Sequence, residues 1–350
     1  MAGRPAHLKT AAIIGLGRIG AGNAGLAGDV PLSHLAAILA TPRLKLTALV
    51  DPDEAVRRRI NVHSPGLADV AVVASTDALR EGADVVAICT PPETHAAVLD
   101  QALEMSPRVI VCEKPLAADT DVARDMVAKA ERAGVALRVN FNRRFNPLHG
   151  KWRAKATTVP RAVVVRYGKG LWNYASHAVD LLLDWYGPVD AVVGFAAGIP
   201  SKDPNVSFVC RMAAGFDAVF VGIDGAAYDQ LEIDVFNADG RLEMRGGGAE
   251  MVDHRPVPDL YYRGYTHLAD GANKSERAPV GGFAELYAAV ATYLHEQTPL
   301  PGCDGASALG NMAVLNAAMR SLAQGGMPVR PEGLGPAEPV RRARFELRQK

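Results

Sequence analysis

The sequence predicts an α/β protein: a doubly wound parallel sheet, followed by an α+β domain with an open mixed, largely antiparallel sheet. Residues 11–141 contain six short apolar runs that alternate with longer amphipathic segments, the pattern of βαβ units. After about residue 145, strand-like runs follow one another without intervening helices, which is typical of antiparallel sheets. We therefore expect one domain over residues 1–145, a second over 146–330 and a tail over 331–350.

The first domain has six predicted strands, which is enough for a complete nucleotide-binding sheet. They are residues 11–15, 44–51, 70–74, 83–90, 108–113 and 135–141. The intervening segments include residues 92–105 and residues 119–134, and the second of these ends at Gly134 as a helix typically does.

The second domain begins with a predicted strand over residues 161–167 and a helix that stops at Gly187 and Pro188. Further strands are predicted at residues 190–195, 205–212, 217–223, 230–236 and 241–244, with a turn at 237–240. Two later helices, over 284–296 and 306–323, are expected to pack beside this sheet or back on the first domain.

Composition and charge narrow the class of partner. The 38 basic and 38 acidic residues balance, which disfavours binding to nucleic acid or an anionic membrane and favours a small-molecule ligand. The amino-terminal residues lack the features of a secretory leader, and no apolar run approaches the ~18 residues of a membrane helix. The four cysteines are scattered, so we expect free thiols in a cytoplasmic protein and no metal site.

A glycine-rich motif, G-L-G-R-I-G, occupies residues 15–20 directly after the first strand. Glycines there allow a tight turn and close approach of a pyrophosphate to the next helix. The second strand ends in Asp51, placed to bind the adenosine ribose of a dinucleotide in a Rossmann domain. A carboxylate there favours NAD over NADP, and we interpret the arginines at 57–59 as a solvated helix face. Residues 21–32 make the spacing to Asp51 longer than usual and are interpreted as an inserted loop.

Two further turns follow predicted strands at the same edge. T-P-P-E-T-H, residues 90–95, follows the fourth strand, and E-K-P, residues 113–115, follows the fifth. Ligands bind beyond the carboxyl ends of parallel strands, so these turns and the glycine-rich motif are expected to converge on one crevice.

Six motifs together resemble the Gfo/Idh/MocA family of NAD(P)-dependent oxidoreductases. They are the glycine-rich loop, the acidic end of strand two, T-P-P-x-x-H, E-K-P, N-R-R-F at 142–145 and G-x-x-N-x-x-S-H-x-x-D at 170–180. The match spans about residues 10–325. The resemblance implies a Rossmann domain, an open-sheet domain and a substrate bound between them, with a homodimer or homotetramer as the assembly. It also suggests a cis peptide at Pro115.

Carried over residue by residue, the resemblance implies roles for the following side chains. The cofactor-binding residues are Gly15, Gly17, Arg18, Ile19 and Gly20 at the pyrophosphate, Asp51 at the ribose, Thr90, Pro91, Pro92 and His95 beside the nicotinamide half, and Glu113, Lys114 and Asn142. The catalytic residues are Lys114 and His177. A lone lysine at a strand end is usually a solvated cap and a lone helical histidine is usually structural, so the case depends on their occurring together with the other motifs.

One departure from the family is Asn173, which stands where many members have an aspartate four residues before the histidine. An amide cannot accept a proton at useful pH, which moves the acid/base role to Lys114 and His177 and weakens an assignment as an inositol dehydrogenase. Asn173 and His177 would share one helix side if the helix begins early enough. The substrate-binding candidates are Asn173, Arg144, Trp172, Tyr174 and Asp180, with His254, Tyr261, Tyr262 and Arg263 as weaker ones.

The leading interpretation is an NAD-dependent oxidoreductase acting on a secondary hydroxyl or ketone of a sugar, amino sugar, nucleotide-activated sugar or cyclitol. One alternative oxidises a ring carbon transiently, so that elimination, hydrolysis or epimerisation proceeds without net redox change. A further alternative is a catalytically silent sensor of NAD(H). A thioester mechanism through Cys112 is disfavoured because this residue lies inside an apolar strand.

Overall fold

The computed structural model describes residues 7–22, 30–63, 67, 69–79, 81–155, 158–225, 227–270, 275–278 and 281–332. Most of the predicted inserted loop, at 23–29, and nearly all of the predicted tail lie outside the described residues. The chain divides into two compact units. The first comprises residues 1–150 and 278–309, and the second comprises residues 151–277 and 310–350.

The strands are β1 (Lys9–Ile14), β2 (Leu44–Val50), β3 (Ala71–Val73), β4 (Val85–Ile88), β5 (Val109–Cys112), β6 (Ala136–Val139), β7 (Ala162–Tyr167), β8 (Val189–Ala196), β9 (Ser207–Met212), β10 (Asp217–Gly222), β11 (Leu231–Asn237), β12 (Gly240–Arg245), β13 (Glu250–Pro258), β14 (Thr266–Asp270), β15 (Glu276–Arg277) and β16 (Cys303–Asp304). The α-helices are α1 (His34–Leu39), α2 (Glu54–His63), α3 (His95–Glu104), α4 (Thr120–Arg132), α5 (Pro147–Lys155), α6 (Ser176–Tyr186), α7 (Phe283–Glu296) and α8 (Gly305–Ala323).

The first unit is built on a seven-stranded sheet with the order β16-β6-β5-β4-β1-β2-β3. β1 to β6 are parallel to their neighbours, and β16 pairs antiparallel with β6. β4 and β5 are buried along their whole length, as expected for strands covered on both faces. All six predicted strands are confirmed, and the residues that follow them at the carboxyl edge belong to loops.

α7 belongs to the core of the first unit although it is distant in sequence. Phe283, Leu286 and Tyr287 lie in the same buried apolar cluster as Ile13 and Leu35. Asp119 accepts hydrogen bonds from the amides of Asp121 and Val122 at the start of α4, which is the expected N-cap arrangement. Among the described residues, no helix is both long enough and apolar enough to cross a membrane.

The second unit contains a nine-stranded sheet with the order β14-β13-β12-β11-β7-β10-β9-β8, and β15 pairs with β13. Only β7 and β10 are parallel, so the sheet is mixed and largely antiparallel, as predicted. Buried and half-buried residues alternate along β7, which indicates one covered face. α8 packs on that face, because a Cβ at Gly194 would lie 2.7 Å from Leu322 Cγ and 2.8 Å from Ala318 O.

β13 and β14 were not predicted, because the segment was interpreted as irregular and polar. Pro256 and Pro258 in β13 are unusual within a sheet, and its charged residues hide the apolar alternation. His254 on β13 is buried and its Nε2 lies 2.7 Å from Glu243 Oε2. The suggestion that His254 contacts substrate is therefore wrong.

Candidate functional site

The glycine-rich turn follows β1, and two of its glycines have no room for a side chain. Gly15 has φ +93°, and a Cβ there would lie 2.7 Å from the carbonyl carbon of Cys89. A Cβ at Gly20 would lie 2.1 Å from Gly15 O. Gly17 faces open space, and the amides of Ala21 and Gly22 both donate to its carbonyl, at 2.9 and 3.0 Å. The turn is therefore open on the side of Gly17, and Arg18 and Ile19 follow within it.

Asp51 is held by the glycine turn itself. Its Oδ2 accepts a hydrogen bond of 2.8 Å from the amide of Leu16, and its Oδ1 accepts one of 2.9 Å from the amide of Asp53. The half-buried carboxylate thus has a fixed orientation at the carboxyl end of β2. Each oxygen keeps a second lone pair that could accept from a ribose hydroxyl.

Arg57 does not belong to a solvated helix face, so that interpretation is wrong for this residue. Its Nη1 donates to the carbonyl oxygens of Asp51 and Pro52, at 2.6 and 2.8 Å. Arg58 instead pairs with Glu54 at 2.5 Å, and Arg58 and Arg59 are exposed. The end of β2 consequently presents a carboxylate and a guanidinium side by side.

His95 lies beneath the turns that follow β4 and β5. It has 0% of its surface exposed, and its Nε2 lies 2.8 Å from Thr90 O while its Nδ1 lies 3.0 Å from Leu116 O. The prediction that His95 itself flanks the nicotinamide is wrong for this structure, because a fully buried ring has no surface to offer a ligand. It instead ties the T-P-P turn, with its exposed Pro91 and half-buried Pro92, to the E-K-P turn.

The E-K-P turn continues directly from β5. The Glu113 amide donates to Ile88 O at 2.9 Å, the peptide bond between Lys114 and Pro115 is cis, and Lys114 is half-buried. Burial would raise the pKa of Glu113, but hydrogen bonds from His34 and Asn140 hold it below its usual value. Glu113 is therefore ionised next to the lysine.

His34, Asn140 and Tyr287 were not recognised in the sequence. His34 Nε2 lies 2.9 Å from Glu113 Oε1, and Asn140 Nδ2 donates to the same oxygen at 2.6 Å. His34 Nδ1 lies 2.6 Å from Tyr287 Oη. Ser33, just before His34, indicates a helix start. Nothing local shows that the ring turns inward to partners as distant as 253 residues along the chain.

The N-R-R-F motif forms a 3₁₀ turn over Asn142–Phe145. Arg143 is buried, whereas Asn142 and Arg144 are half-buried. A Cβ at Gly282 would lie 2.2 Å from Asn142 O, so this glycine lets the start of α7 approach the motif. The motif is thus at the same edge of the first unit as the turns after β4 and β5.

In the second unit, the segment Leu171–Ala175 forms a wide helical turn before α6. Asp203 holds it: its Oδ1 accepts from the Trp172 amide at 2.8 Å and its Oδ2 accepts from the Asn173 amide at 3.0 Å. A Cβ at Gly170, which has φ +99°, would lie 2.0 Å from the same carboxylate. Asp203 was not singled out in the sequence, since it lies in a loop thirty residues away.

Tyr174 is oriented by two charged neighbours. Its hydroxyl donates to Asp229 Oδ2 at 3.1 Å, and Lys169 Nζ lies 5.8 Å from its ring centre. Lys169 also pairs with Asp229, and its hydrogen bond lowers the pKa of that carboxyl. Tyr174 and Trp172 are both half-buried.

α6 begins at Ser176, directly after the wide helical turn that contains Asn173. Asn173 is exposed, whereas His177 is buried in the first turn. Asp180 has 0% of its surface exposed, so the prediction that it contacts substrate directly is wrong for this structure. Its spacing of three residues places it on the same side of α6 as His177.

The comparison with protein families gives one match. Residues 9–141 match the family described as "Oxidoreductase family, NAD-binding Rossmann fold". These residues include the glycine turn, Asp51, the T-P-P turn and the E-K-P turn.

Two relatives illustrate the sequence similarity. The oxidoreductase YrbE of Bacillus subtilis is 28% identical over 275 residues, which are 70% of this chain and 77% of that protein. Inositol 2-dehydrogenase of Rhizobium meliloti is 31% identical over 123 residues, which are 35% of this chain and 36% of that enzyme. The second similarity therefore spans about a third of each protein.

Solved structures share the fold over nearly the whole chain. The WlbA dehydrogenase of Bordetella pertussis, solved with NADH and UDP-GlcNAcA, has a TM-score of 0.70 at 19% identity and covers 92% of this chain and 98% of its own. An oxidoreductase of Desulfitobacterium hafniense described as NADPH-dependent has a TM-score of 0.75 at 17% identity, with 93% and 98% covered. The match of the cofactor-binding residues, the relatives and the shared two-sheet fold agree. Residues 9–141 therefore match the Gfo/Idh/MocA family of oxidoreductases with an NAD-binding Rossmann fold.

Proposed function

We propose that the protein is an NAD-dependent dehydrogenase that acts on a secondary hydroxyl or ketone carbon of a sugar or cyclitol, with Lys114 and His177 handling the proton. One observation carries this proposal: an ionised Glu113 and the adjacent Lys114 follow β5, at the same sheet edge as the glycine turn and Asp51. When bound, NAD supplies the hydride acceptor or donor. The protein's own task is to bind the alcohol or ketone and move one proton.

Asp51 and the glycine turn are the residues that would hold the cofactor. The open space at Gly17 fits a pyrophosphate, and the fixed carboxylate of Asp51 fits the two ribose hydroxyls. A carboxylate repels the 2′-phosphate of NADP, which favours NAD. Arg57, at the carbonyl of Asp51, offsets part of that repulsion, so we expect a preference for NAD rather than complete exclusion of NADP.

Lys114 is the group we assign to proton transfer. It is half-buried on a turn that is braced from both sides, and a desolvated lysine beside a positive nicotinamide loses its proton more readily. His177, buried in the first turn of α6, is assigned to share the proton or bind a neighbouring hydroxyl. Burial and the charge of Glu113 raise the pKa of Cys112 well above its usual range, which argues against a thiolate mechanism.

The substrate class follows from the polar residues of the second unit and from the relatives. Asn173 is exposed beside half-buried Trp172 and Tyr174, a combination that suits hydroxyl groups and the C–H face of a ring. The relatives include an enzyme named for inositol and a dehydrogenase solved with a nucleotide sugar. We infer a polyhydroxylated ring as substrate.

An absorbance screen tests the proposed function. Cyclitols, aldoses, amino sugars and nucleotide sugars are each incubated with NAD or NADP, and formation of the reduced cofactor is followed. We expect net NADH formation with at least one ring polyol. Substrate conversion without net NADH would support the transient-oxidation alternative, and tight NADH binding without any conversion would support the sensor.

We further propose that the uncovered face of the second sheet pairs with a second copy of the chain. Val193, Val209, Val219 and Val164 are paired in one row across four strands, and all are half-buried. Ion pairs flank this row, including that of Arg166 with Asp234 at 2.8 Å. Such a face is self-complementary under two-fold symmetry.

Light scattering on Val209→Glu tests this assembly, with Val122→Glu on α4 as the exposed control. We expect a dimer or tetramer for the wild type and the control, and smaller particles for Val209→Glu. A monomeric wild type would refute the assembly.

A further inference from the structure

Four polar side chains of the first unit form a buried chain of hydrogen bonds behind the turn that bears Lys114. Tyr287 Oη lies 2.6 Å from His34 Nδ1, and His34 Nε2 lies 2.9 Å from Glu113 Oε1. Asn140 Nδ2 donates to the same oxygen at 2.6 Å. They come from α7, α1, the turn after β5 and the residue after β6. Burying polar groups from distant segments around one carboxylate costs desolvation free energy, unless each group has a hydrogen-bond partner.

The hydrogen bonds run in one direction. Burial, together with the nearby Cys89 and Glu113, raises the pKa of Tyr287 well above its usual value, so the phenol keeps its proton. Its hydroxyl then donates to His34 Nδ1, which leaves the ring proton on Nε2 to donate to Glu113. A proton on Nδ1 instead would leave the Tyr287 hydroxyl hydrogen without an acceptor among the described residues.

Glu113 is the negative charge at the end of this chain, and its side chain is only 12% exposed. The titratable groups that face it are His34 from α1, Tyr287 from α7, Cys89 from the end of β4, and Cys112 and Lys114 from its own segment. Burial raises the pKa of both thiols, so they stay neutral. Lys114 is the ammonium group of this set.

The chain holds a charge rather than conducting protons. Tyr287, at its far end, has 0% of its surface exposed. The His34 ring meets the ring of Phe283 edge-on, with centres 5.1 Å apart. Protons therefore have no exit to solvent at that end. At the other end, Glu113 Oε2 accepts from the Lys114 amide at 3.3 Å, so the carboxylate also fixes the backbone of the turn.

We propose that His34 and Tyr287 are positioning residues for Lys114: they act through Glu113, whose carboxylate they hold fixed beside the lysine-bearing turn. The proposal rests on the proposed function, in which Lys114 handles the proton. A fixed carboxylate next to an ammonium group favours the protonated lysine. Loss of the hydrogen bonds that fix Glu113 therefore lowers the proton affinity of Lys114.

Chemical labelling measures that affinity without a substrate. Acetic anhydride acetylates only the unprotonated amine, so the pH midpoint of the acetylation rate at Lys114, read by peptide mass spectrometry, reports its proton affinity. Tyr287→Phe removes the hydroxyl and keeps the ring. The matched control is Tyr293→Phe, on the same helix. This half-buried tyrosine is not part of the hydrogen-bond chain to Glu113.

We expect the midpoint to fall by about half a pH unit or more in Tyr287→Phe, because a Glu113 carboxylate that is no longer fixed beside the turn favours the protonated lysine less. We expect no shift in Tyr293→Phe. His34→Gln keeps an amide donor towards Glu113 and should lie nearer the wild type than His34→Ala. Equal midpoints in wild type and a folded Tyr287→Phe would overturn the proposal, as would equal shifts in Tyr287→Phe and Tyr293→Phe.

A second measurement needs only the wild type. The ¹⁵N shifts of the His34 ring distinguish its tautomers, and we expect Nε2 to carry a proton. A proton on Nδ1 at neutral pH would overturn the direction of the chain. Turnover of Lys114→Ala separates the two ideas, because activity retained in that variant contradicts the proposed function whatever the labelling midpoint shows.

Discussion

The amide of Leu16 donates a hydrogen bond of 2.8 Å to Oδ2 of Asp51. The residue after the first glycine of the turn is thereby joined to the carboxyl end of β2, 35 positions further along the chain. This hydrogen bond joins the carboxylate proposed to bind the ribose to the turn proposed to bind the pyrophosphate. A substitution that removes the charge of Asp51 and keeps one acceptor oxygen therefore tests its role in cofactor choice.

Asp51→Asn removes the negative charge and keeps one oxygen for the Leu16 amide, while the hydrogen bond from the Asp53 amide is lost. We expect NADH affinity to fall about tenfold, and NADPH affinity to stay constant or rise, because the 2′-phosphate is no longer repelled and Arg57 lies close by. Fluorescence titration with each cofactor measures this. Asp53→Asn, an exposed neighbour, serves as the control, and an unchanged NADH to NADPH ratio in Asp51→Asn would refute the assignment.

Alanine at two glycines should separate folding from cofactor binding. Gly20→Ala forces a Cβ to within 2.1 Å of Gly15 O, so it should lower thermal stability. Gly17→Ala meets open space, so it should unfold like the wild type yet bind NADH at least about tenfold more weakly, because the methyl group occupies the pyrophosphate cradle. Thermal unfolding and NADH titration are the two measurements. Full NADH affinity in Gly17→Ala would place the cofactor elsewhere.

Asp203→Asn tests whether the segment before α6 is held in place for substrate. The neutral amide offers only one acceptor oxygen to the amides of Trp172 and Asn173, so Trp172 and Asn173 should lose their fixed positions. We expect kcat/KM to fall about tenfold, mainly through KM, while NADH affinity is unchanged. Asp190→Asn, exposed on β8, is the matched control. An equal loss in both variants would argue against a specific role.

Glu243 should make the second unit sensitive to acid. Hydrogen bonding from Arg245, and then from His254, lowers its pKa from 4.5 to about 2 despite partial burial. A carboxyl group whose pKa is lower in the folded state stabilises the fold at pH values above its unfolded-state pKa. That stabilisation is lost as the pH falls from about 4.5 towards 2. Glu243→Gln should reduce the free energy of unfolding by about 1–3 kcal/mol at pH 7 and flatten the loss between these pH values.

Urea unfolding at several pH values measures both effects of Glu243→Gln. The control is Glu296→Gln, whose exposed ion pair with Arg43 should contribute at most about 1 kcal/mol. If Glu243→Gln and the wild type lost stability in parallel on acidification, Glu243 would not be the group responsible.

The first sheet could be predicted because its strands are apolar and its turns contain distinctive residues. G-L-G-R-I-G, T-P-P and E-K-P each stand directly after a strand, so the parallel topology alone brings them to one edge. β13 was missed because Pro256 and several charged residues interrupt its apolar pattern, although the strand pairs antiparallel with β12. The local sequence pattern predicts a strand poorly when contacts with neighbouring strands, rather than the strand's own apolar face, stabilise it.

The partners that position the site could not be predicted. His34, Tyr287 and Asp203 act on residues between 30 and 253 positions away, and each resembles an ordinary surface or core residue when viewed in sequence. His95 and Asp180 show the converse error. Their place within motifs suggested ligand contact, but both are fully buried.

The most direct test of the central claim is the steady-state turnover of Lys114→Ala with NAD and the best substrate from the absorbance screen. Lys129→Ala, a surface lysine of α4 paired with Asp100, is the matched control, and NADH affinity is measured in parallel. We predict that kcat falls by about 10²-fold or more in Lys114→Ala alone, with NADH affinity nearly unchanged. Wild-type turnover in a folded Lys114→Ala would contradict the account.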